Sequence, residues 1–324
     1  MPQADTARDT QDPDKAMHTI PVRPANGRKC AVTIGNFDGV HRGHQLLVGT
    51  TLSFCKEHDL DSVVVTFSPH PRALFSGKHM PPLADLQTRR RLLGALGVEF
   101  LMELNFTREI AALSPEEFYL GYLAPLKMEI LVVGYDFCLG KGRSGDFAAL
   151  SRLGEKYGFA VHQVPPLLFE EAPISSTRIR KTIEEGDMVA ARHMLGRPHT
   201  LQGMVIHGDG RGSGLGFPTA NLEPAEVLLP PDGVYATRVV HRGQSYPAVT
   251  NIGFKPTFEG KGRTIESFLL DCDINLYAER VEVQFLQRLR AEKRFASPKE
   301  LVAQIDLDVA EGRRINHDFE REGR

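Results

Sequence analysis

The stretch AVTIGNFDGVHRGHQLLV, residues 31–48, decides the fold of the first half of the chain. It starts as a short apolar run, is interrupted by glycines, and continues as an amphipathic helix. A glycine-bearing loop between a strand and a helix directs backbone N–H groups at an anion, so this order predicts a nucleotide site in an α/β domain. His41 and His44 add donors that suit phosphate. Their spacing alone fits a surface or core pair equally well, and the strand and helix around them favour the anion site.

Composition limits the class of protein. The chain has 324 residues, which suits two domains, and its 41% hydrophobic and 25% charged residues are typical of globular proteins. The formal net charge of −2 argues against a dedicated nucleic-acid or membrane-surface binder. Without a signal peptide or a membrane-spanning apolar run, we expect a cytoplasmic protein that acts on small molecules and forms at most a weak homo-oligomer. Four scattered cysteines without a CxxC pair are expected to be reduced thiols.

Strands and helices alternate through the first half. Helical patterns are interleaved with apolar, strand-like runs at residues 30–34, 62–67, 98–104, 129–133 and 160–164. This alternation predicts a doubly wound parallel sheet. In the first helix, over residues 43–58, the apolar spacing places Leu46, Leu47, Thr50 and Phe54 on one face.

Two further segments of the first half carry polar groups suited to a ligand. The segment ISSTRIR, residues 174–180, precedes a helix that its hydroxyls can cap, and Arg178 or Arg180 can meet phosphate bidentately. The segment SPHPR, residues 68–72, follows the second strand. It therefore lies at the carboxyl edge of the predicted sheet, where open α/β sheets bind ligands.

The pattern changes after residue 200. From residue 201 to 284, short β-rich runs are separated by Gly, Pro and Asp, which indicates an antiparallel sheet or barrel, and a final helix is expected over about 298–313. The change of period places a domain boundary between residues 186 and 200. We therefore expect a disordered tail over residues 1–26, an α/β domain over 27–190 and a β domain over 191–324.

Two features of the second half carry candidate chemistry. The glycine-rich run at 210–221 contains Thr219 and Asn221, whose neutral oxygens suit Mg²⁺ shared with phosphates, although such glycine density also fits a plain surface loop. Glu266 interrupts an apolar strand. A solvent-facing carboxylate is the simpler interpretation, and a general base is the alternative.

A series of motifs runs through both halves of the chain. In order they are TIGNFDGVHRGH (33–44), FSPHP (67–71), VVGYDF (132–137), GKGRSGD (140–146), ISSTRIR (174–180), GLGFPTANL (214–222), DGVYAT (232–237), NIGFKPTF (251–258) and ESFLLD (266–271). The series resembles the bacterial bifunctional riboflavin kinase/FMN adenylyltransferase (FAD synthetase) family over about residues 30–308. Cys138 and Leu139 depart from that pattern, because family members often have Arg and Phe at these positions.

This resemblance implies a fold and two reactions. A Rossmann-like nucleotidylyltransferase domain would be followed by a riboflavin-kinase-like antiparallel β-barrel with a C-terminal helix. The first domain would transfer AMP from ATP to FMN, making FAD and releasing pyrophosphate. The second would phosphorylate riboflavin to FMN with ATP, and Mg²⁺ would accompany ATP at both sites.

The resemblance also implies roles for individual residues. His41, His44 and Arg180 would hold the phosphates of ATP during adenylyl transfer. Glu266 would activate the riboflavin hydroxyl. The remaining binding residues that it implies are Gly35, Phe37, Asp38, Gly43, Asp136, Ser176, Thr177, Gly216, Pro218, Thr219 and Asn221, with Thr219 and Asn221 as ligands of Mg²⁺.

Elementary chemistry agrees with this division of roles. The FMN phosphate is already an anionic nucleophile, so adenylyl transfer needs charge neutralisation and alignment rather than a base. A hydroxyl nucleophile is helped by a carboxylate that accepts its proton, which suits Glu266. Two alternatives stay open: one module is catalytically inactive, or the protein is a flavin-binding regulator. The presence of Glu266, Thr219 and Asn221 weighs against a regulator, which needs neither a base nor a metal.

Overall fold

The computed structural model describes residues 27–76, 80–208, 217–223, 226–257, 260–272 and 274–322. The expected tail over residues 1–26 and the candidate Gly216 lie outside these ranges. The described residues form a parallel sheet with its helices, a closed β-barrel and a long final helix.

The first half is built around a five-stranded parallel sheet with the order β3-β2-β1-β4-β5. Its strands are β1 (Cys30–Ile34), β2 (Asp61–Ser68), β3 (Phe100–Asn105), β4 (Met128–Gly134) and β5 (Ala160–Val164). Every residue of β1 is buried, as an uninterrupted apolar run with helices on both sides of the sheet requires. The strand order reverses direction between β1 and β4, which is where sheets of this kind open a crevice for ligands.

Helices and a short hairpin connect these strands and lead into the second half. The helices are α1 (Arg42–His58), α2 (Pro71–Ser76), α3 (Leu86–Ala95), α4 (Arg108–Ala112), α5 (Pro115–Phe118), α6 (Phe147–Tyr157), α7 (Ser176–Glu185) and α8 (Met188–Leu195). The hairpin consists of β6 (Leu168–Phe169) and β7 (Ala172–Pro173). Ser175 caps α7 by accepting a hydrogen bond from the backbone N–H of Arg178, so the hydroxyl cap predicted in ISSTRIR is confirmed.

The predicted face of α1 was only partly right, because Leu47 and Phe54 belong to the apolar cluster beneath the helix and Leu46 does not. The helix buries Leu47, Val48, Thr51 and Cys55, whereas Leu46 is 38% exposed. Three consecutive apolar residues, 46–48, do not by themselves indicate which two face the sheet. The cap at the start of the helix and its docking against the sheet set the rotation, and both depend on the folded structure.

The second half is a closed barrel whose strands follow the order β10-β11-β12-β9-β8-β13. The strands are β8 (His199–Ile206), β9 (Ala220–Leu222), β10 (Gly233–His241), β11 (Gln244–Thr257), β12 (Gly260–Leu269) and β13 (Arg280–Arg290), and each pairs with its neighbours in antiparallel fashion. Tyr235, Ile252, Ile265 and Phe285 belong to the apolar cluster of the barrel. Closure pairs the backbone N–H and C=O groups that the edge strands of an open sheet would leave unpaired.

The final helix, α9 (Pro298–Glu322), is longer than the expected 298–313. Val309 and Ile315 of this helix pack on the outer side of the barrel. The last turns contain few apolar residues, so the periodicity could not indicate them. Ion pairs hold those turns instead, such as Glu320 with Arg238 at 2.8 Å and Glu322 with Arg192 at 2.8 Å.

The two halves share one apolar cluster. Ile179 and Ile183 of α7 and Met188 and Met194 of α8 belong to the same cluster as the barrel residues. The expected boundary at residue 190 falls inside α8. The division at that residue stays a prediction.

Candidate active sites

A cavity of about 560 Å³ opens at the carboxyl edge of the parallel sheet. Ile34, Phe67, Gly134 and Val164 line it, and they stand at or near the ends of β1, β2, β4 and β5. The cavity therefore occupies the crevice that the strand order creates between β1 and β4.

Most first-half candidates from the sequence meet at this cavity. Those that line it are Gly35, Asp38, His41, Gly43, His44, Asp136, Ser176, Thr177 and Arg180. Phe37 does not line it, because its side chain is fully buried in the apolar cluster beneath α1. The ring of Phe37 lies 5.1 Å from that of His44, so it supports the histidine from within the core.

The histidine pair is stacked at the start of α1. The ring centroids of His41 and His44 are 3.6 Å apart, and Nδ1 of His41 accepts a hydrogen bond of 3.3 Å from the backbone N–H of His44. That bond caps the helix and fixes the orientation of the His41 ring. Nδ1 of His44 is buried and has no hydrogen-bond partner among the residues that the structure describes.

Arg180 lines the cavity but is already engaged. Its guanidinium forms an ion pair of 2.8 Å with the buried carboxylate of Asp38 and donates to the carbonyl of Pro81. The other carboxylate oxygen of Asp38 accepts the backbone N–H of Leu83 at 2.8 Å. Because Asp38 offsets its charge, Arg180 brings less net positive charge to the cavity than the sequence suggested.

A second cavity, of about 440 Å³, lies on the barrel. The candidates Pro218, Thr219 and Asn221 line it, together with residues 205–208 and 274–277. A Cβ at Gly208 would lie 2.1 Å from Nδ2 of Asn221, so only glycine permits this close approach.

Glu266 lies beside this second cavity, because its cross-strand partner Asn221 lines the cavity. On β12 it pairs with Asn221 of β9 on one side and with Asn251 of β11 on the other. Its neighbours Ile265 and Ser267 are buried, so the alternation of the strand turns Glu266 to the outer side of the barrel. Glu266 is half-buried, and it is the cross-strand neighbour of Asn221, the candidate metal ligand.

Comparison with known proteins gives the family of the chain. A family model for FAD synthetase matches residues 23–178, and one for riboflavin kinase matches residues 195–316. A bifunctional riboflavin kinase/FMN adenylyltransferase from Escherichia coli strain K12 is 37% identical, covering 91% of this chain and 94% of its own. The chain belongs to the bifunctional riboflavin kinase/FMN adenylyltransferase family. It phosphorylates riboflavin to FMN and adenylylates FMN to FAD, with ATP as the donor in both reactions.

Other relatives agree with this assignment. The family member from Pseudomonas fluorescens is 38% identical and covers 93% of this chain and 96% of its own. The member from Bacillus subtilis is 36% identical, with 87% and 91% covered. A solved structure from Streptococcus pneumoniae, described as a macrolide-efflux protein, superposes with a TM-score of 0.83 at 32% identity, over 91% of this chain and 99% of that one. Within the described ranges, no helix has both the length and the apolar character needed to span a bilayer.

In this bifunctional enzyme, the stacked histidines carry no charge at neutral pH. Burial, with the Arg197 cation as a lesser cause, lowers the pKa of His41 to about 4. Burial also lowers the pKa of His44 well below its ordinary value, with His41 and the Arg89 guanidinium as lesser causes. Neutral imidazoles approach a nucleotide as oriented hydrogen-bond donors rather than as cations.

The sequence indicated the SPHPR segment but did not single out its His70 and Arg72 as site residues, and it did not single out Arg143. All three line the first cavity of the enzyme. Arg72 donates a hydrogen bond of 3.0 Å to Oγ1 of Thr177, and so connects the SPHPR loop with the start of α7. Arg143 donates to the carbonyl of Asp136 and lies 3.5 Å from Sγ of Cys138, where family members often carry Arg. The position of SPHPR after a strand was the available signal, but it did not say which side chains face the cavity.

Proposed function

We propose that the cavity at the sheet edge is the site of adenylyl transfer and that the outer side of the barrel around Glu266 is the site of riboflavin phosphorylation. The observation that carries the proposal is the meeting of His41, His44, Thr177 and Arg180 around one cavity, although the chain separates the two pairs by more than a hundred residues. Residues that suit phosphate converge there from the starts of α1 and α7.

In the proposed adenylyl transfer, a phosphate oxygen of FMN attacks the α-phosphorus of ATP. The new bond joins that oxygen to the α-phosphorus, and the bond from the α-phosphorus to the bridging oxygen breaks, so that pyrophosphate leaves with the electron pair. No proton needs to be removed from the nucleophile. The reaction instead requires prepositioned hydrogen-bond donors that stabilise the negative charge developing on the phosphate oxygens. The neutral imidazoles, Arg72 and the N-terminus of α7 supply such donors.

In the proposed kinase reaction, Glu266 accepts the proton of the ribityl 5′-hydroxyl as its oxygen attacks the γ-phosphorus of ATP. The bond between the γ-phosphorus and the bridging oxygen breaks, and ADP leaves. The half-buried carboxylate on β12 faces the same side as Asn221 and Asn251, so the base and two amide groups stand in a row across three strands.

Mg²⁺ is proposed to bind beside Glu266, with Thr219 and Asn221 as its protein ligands. Both residues line the 440 Å³ cavity and offer neutral oxygens, a donor set that fits a Mg²⁺ ion shared with phosphate oxygens and water. The ion would draw charge from the transferring phosphoryl group. Asn221→Ala is expected to raise the Mg²⁺ concentration for half-maximal kinase activity by about tenfold or more. Adenylylation measured over the same Mg²⁺ titration serves as the control and is expected to be unchanged.

Separate assays of the two reactions test the two-site proposal. In His44→Ala, FMN adenylylation is expected to fall by about 10²–10³-fold because a positioned donor is lost. Riboflavin phosphorylation is expected to persist in that variant. In Glu266→Gln, which keeps the shape of the side chain, phosphorylation is expected to fall by about 10²–10⁴-fold and adenylylation to persist.

The control for the first variant is His58→Ala, which removes an exposed histidine from the other end of α1. Chromatographic separation of riboflavin, FMN and FAD gives both rates. Full adenylylation in His44→Ala, or loss of both reactions in Glu266→Gln, would contradict the assignment.

Three coarser expectations are retained as part of the proposal. The chain forms two domains, over residues 27–190 and 191–324. It acts in the cytoplasm, and it self-associates weakly at most. The cysteines within the described residues are free thiols, in keeping with a reducing compartment. Cell fractionation and sedimentation of the purified enzyme would test location and assembly.

A further inference from the structure

The turn before His41, residues 37–40, has a backbone conformation that most of its residues do not favour. The φ angles of Phe37, Gly39 and Val40 are 48°, 76° and 40°. Positive φ is costly for a side-chain-bearing residue and most of all for a β-branched one such as Val40. A turn of this kind persists only where surrounding groups hold it.

Three side chains hold this turn by its carbonyl groups. Oγ of Ser176 donates to the Asp38 carbonyl at 3.1 Å, and Nη2 of Arg197 donates to the Gly39 carbonyl at 2.8 Å. Nε2 of Gln45 donates to the Val40 carbonyl at 2.9 Å. The three donors come from α7, from the segment after α8 and from α1. The conformation that presents His41 is therefore imposed from outside the turn.

Arg197 belongs to the part of the chain that matches riboflavin kinase, residues 195–316. It follows α8 and precedes β8, and Gln45 reinforces the same junction by donating to the Leu195 carbonyl at 2.9 Å. Burial lowers the pKa of Arg197 to about 10, so the side chain stays cationic at neutral pH. A charged donor makes a stronger hydrogen bond to a carbonyl than a neutral donor does.

We propose that Arg197 is a positioning residue for adenylyl transfer. Through the Gly39 carbonyl, this residue of the kinase half fixes the turn that sets His41 and His44 at the adenylylation cavity. The proposal rests on the assignment of the two histidines to that cavity. It means that the adenylylation site is completed by a residue from the other half of the enzyme.

The test compares Arg197→Met with Arg197→Lys in the full chain. In Arg197→Met, kcat for FMN adenylylation is expected to fall by roughly 10- to 100-fold, the scale of a misplacement of about 1 Å in a catalytic group. Riboflavin phosphorylation is expected to stay near that of the unmodified enzyme, which shows that the variant is folded at the assay temperature. Arg197→Lys keeps a cationic donor and is expected to recover part of the lost kcat.

The matched control is Arg91→Gln, which breaks the 3.0 Å ion pair between Arg91 and Glu282 across the same junction without touching the turn. It is expected to leave adenylylation unchanged. If Arg197→Met fails to fold, Arg197→Lys carries the test against the unmodified enzyme: adenylylation is expected to fall part-way while riboflavin phosphorylation persists.

Unchanged adenylylation in Arg197→Met would overturn the proposal. So would a parallel loss of both reactions, or an equal loss in Arg91→Gln. Failure of the underlying assignment has a different signature, because His44→Ala would then retain adenylylation as well. A defect in His44→Ala without one in Arg197→Met would refute only the positioning role.

Discussion

At the scale of single residues, His41, His44 and His199 each have a lowered pKa. Burial is the largest cause of the lowered pKa of each. For His41 and His44 at the first cavity, the consequence is a pair of neutral imidazoles whose rings are stacked. His199 starts the barrel instead, and its Nε2–H donates to the Leu228 carbonyl at 2.7 Å. Its Nδ1 is buried and has no partner within the described part of the chain, which disfavours protonation.

The stability of the enzyme is expected to fall in acid partly through His199. Its pKa is about 4 when folded and near 6.5 when unfolded, so between these values the unfolded chain binds a proton that the folded chain does not. The stabilisation is complete above about pH 6.5 and is lost as the pH falls through that window, by up to about 1.4 kcal/mol per pH unit.

His199→Gln keeps a donor for Leu228 but does not titrate. Its free energy of unfolding is expected to change less between pH 6.5 and 5.5 than that of the unmodified enzyme, by about 1 kcal/mol. Urea unfolding at the two pH values measures the difference, and equal pH dependence in the two proteins would refute the role of His199.

At the scale of elements, α9 is attached to the barrel by apolar contacts and by one buried ion pair. The guanidinium of Arg290 on β13 contacts both carboxylate oxygens of Asp308 at 2.8–3.0 Å, and Asp308 is only 6% exposed. Gln304 donates to the same carboxylate at 3.1 Å. The pair therefore fixes the register of the helix on the strand.

Asp308→Ala is expected to destabilise the barrel by about 3 kcal/mol or more, because it leaves the Arg290 cation largely buried without its carboxylate. The control is Asp318→Ala, which removes an exposed partner of Arg314 further along α9. That change is expected to cost less than about 1 kcal/mol. Urea unfolding monitors both variants, and similar losses in the two would contradict the claim that burial makes the first pair important.

At the scale of the whole molecule, the two halves that carry the proposed sites share one apolar cluster. The backbone N–H of Leu228 donates to the Pro82 carbonyl at 2.9 Å, next to Leu83, which binds Asp38. Leu83 also joins the apolar cluster of the barrel. The half that matches riboflavin kinase thus contacts the turn before His41 through the 82–83 segment and through Arg197. A single boundary residue marks where the sequence pattern changes, but it does not separate two apolar cores, because one cluster contains residues of both halves.

Local patterns determined much of this protein. The bounds of β5 match the expected strand over residues 160–164, and the hydroxyl cap predicted in ISSTRIR is present, because such signals depend on residues a few positions apart. The change from helical to strand periodicity likewise indicated the barrel. The ordered motifs were sufficient to predict both reactions and nine of the residues that line the first cavity.

Only the tertiary structure decided the contacts between distant residues. The buried face of α1, the burial of Phe37 and the pairing of Asp38 with Arg180, 142 positions apart, depend on how elements dock. So does the hydrogen bond from Arg197 to the Gly39 carbonyl. A periodicity records which residues avoid water, but a hydrogen bond across the fold depends on the distance and angle between two groups. Those quantities arise only when the chain has packed.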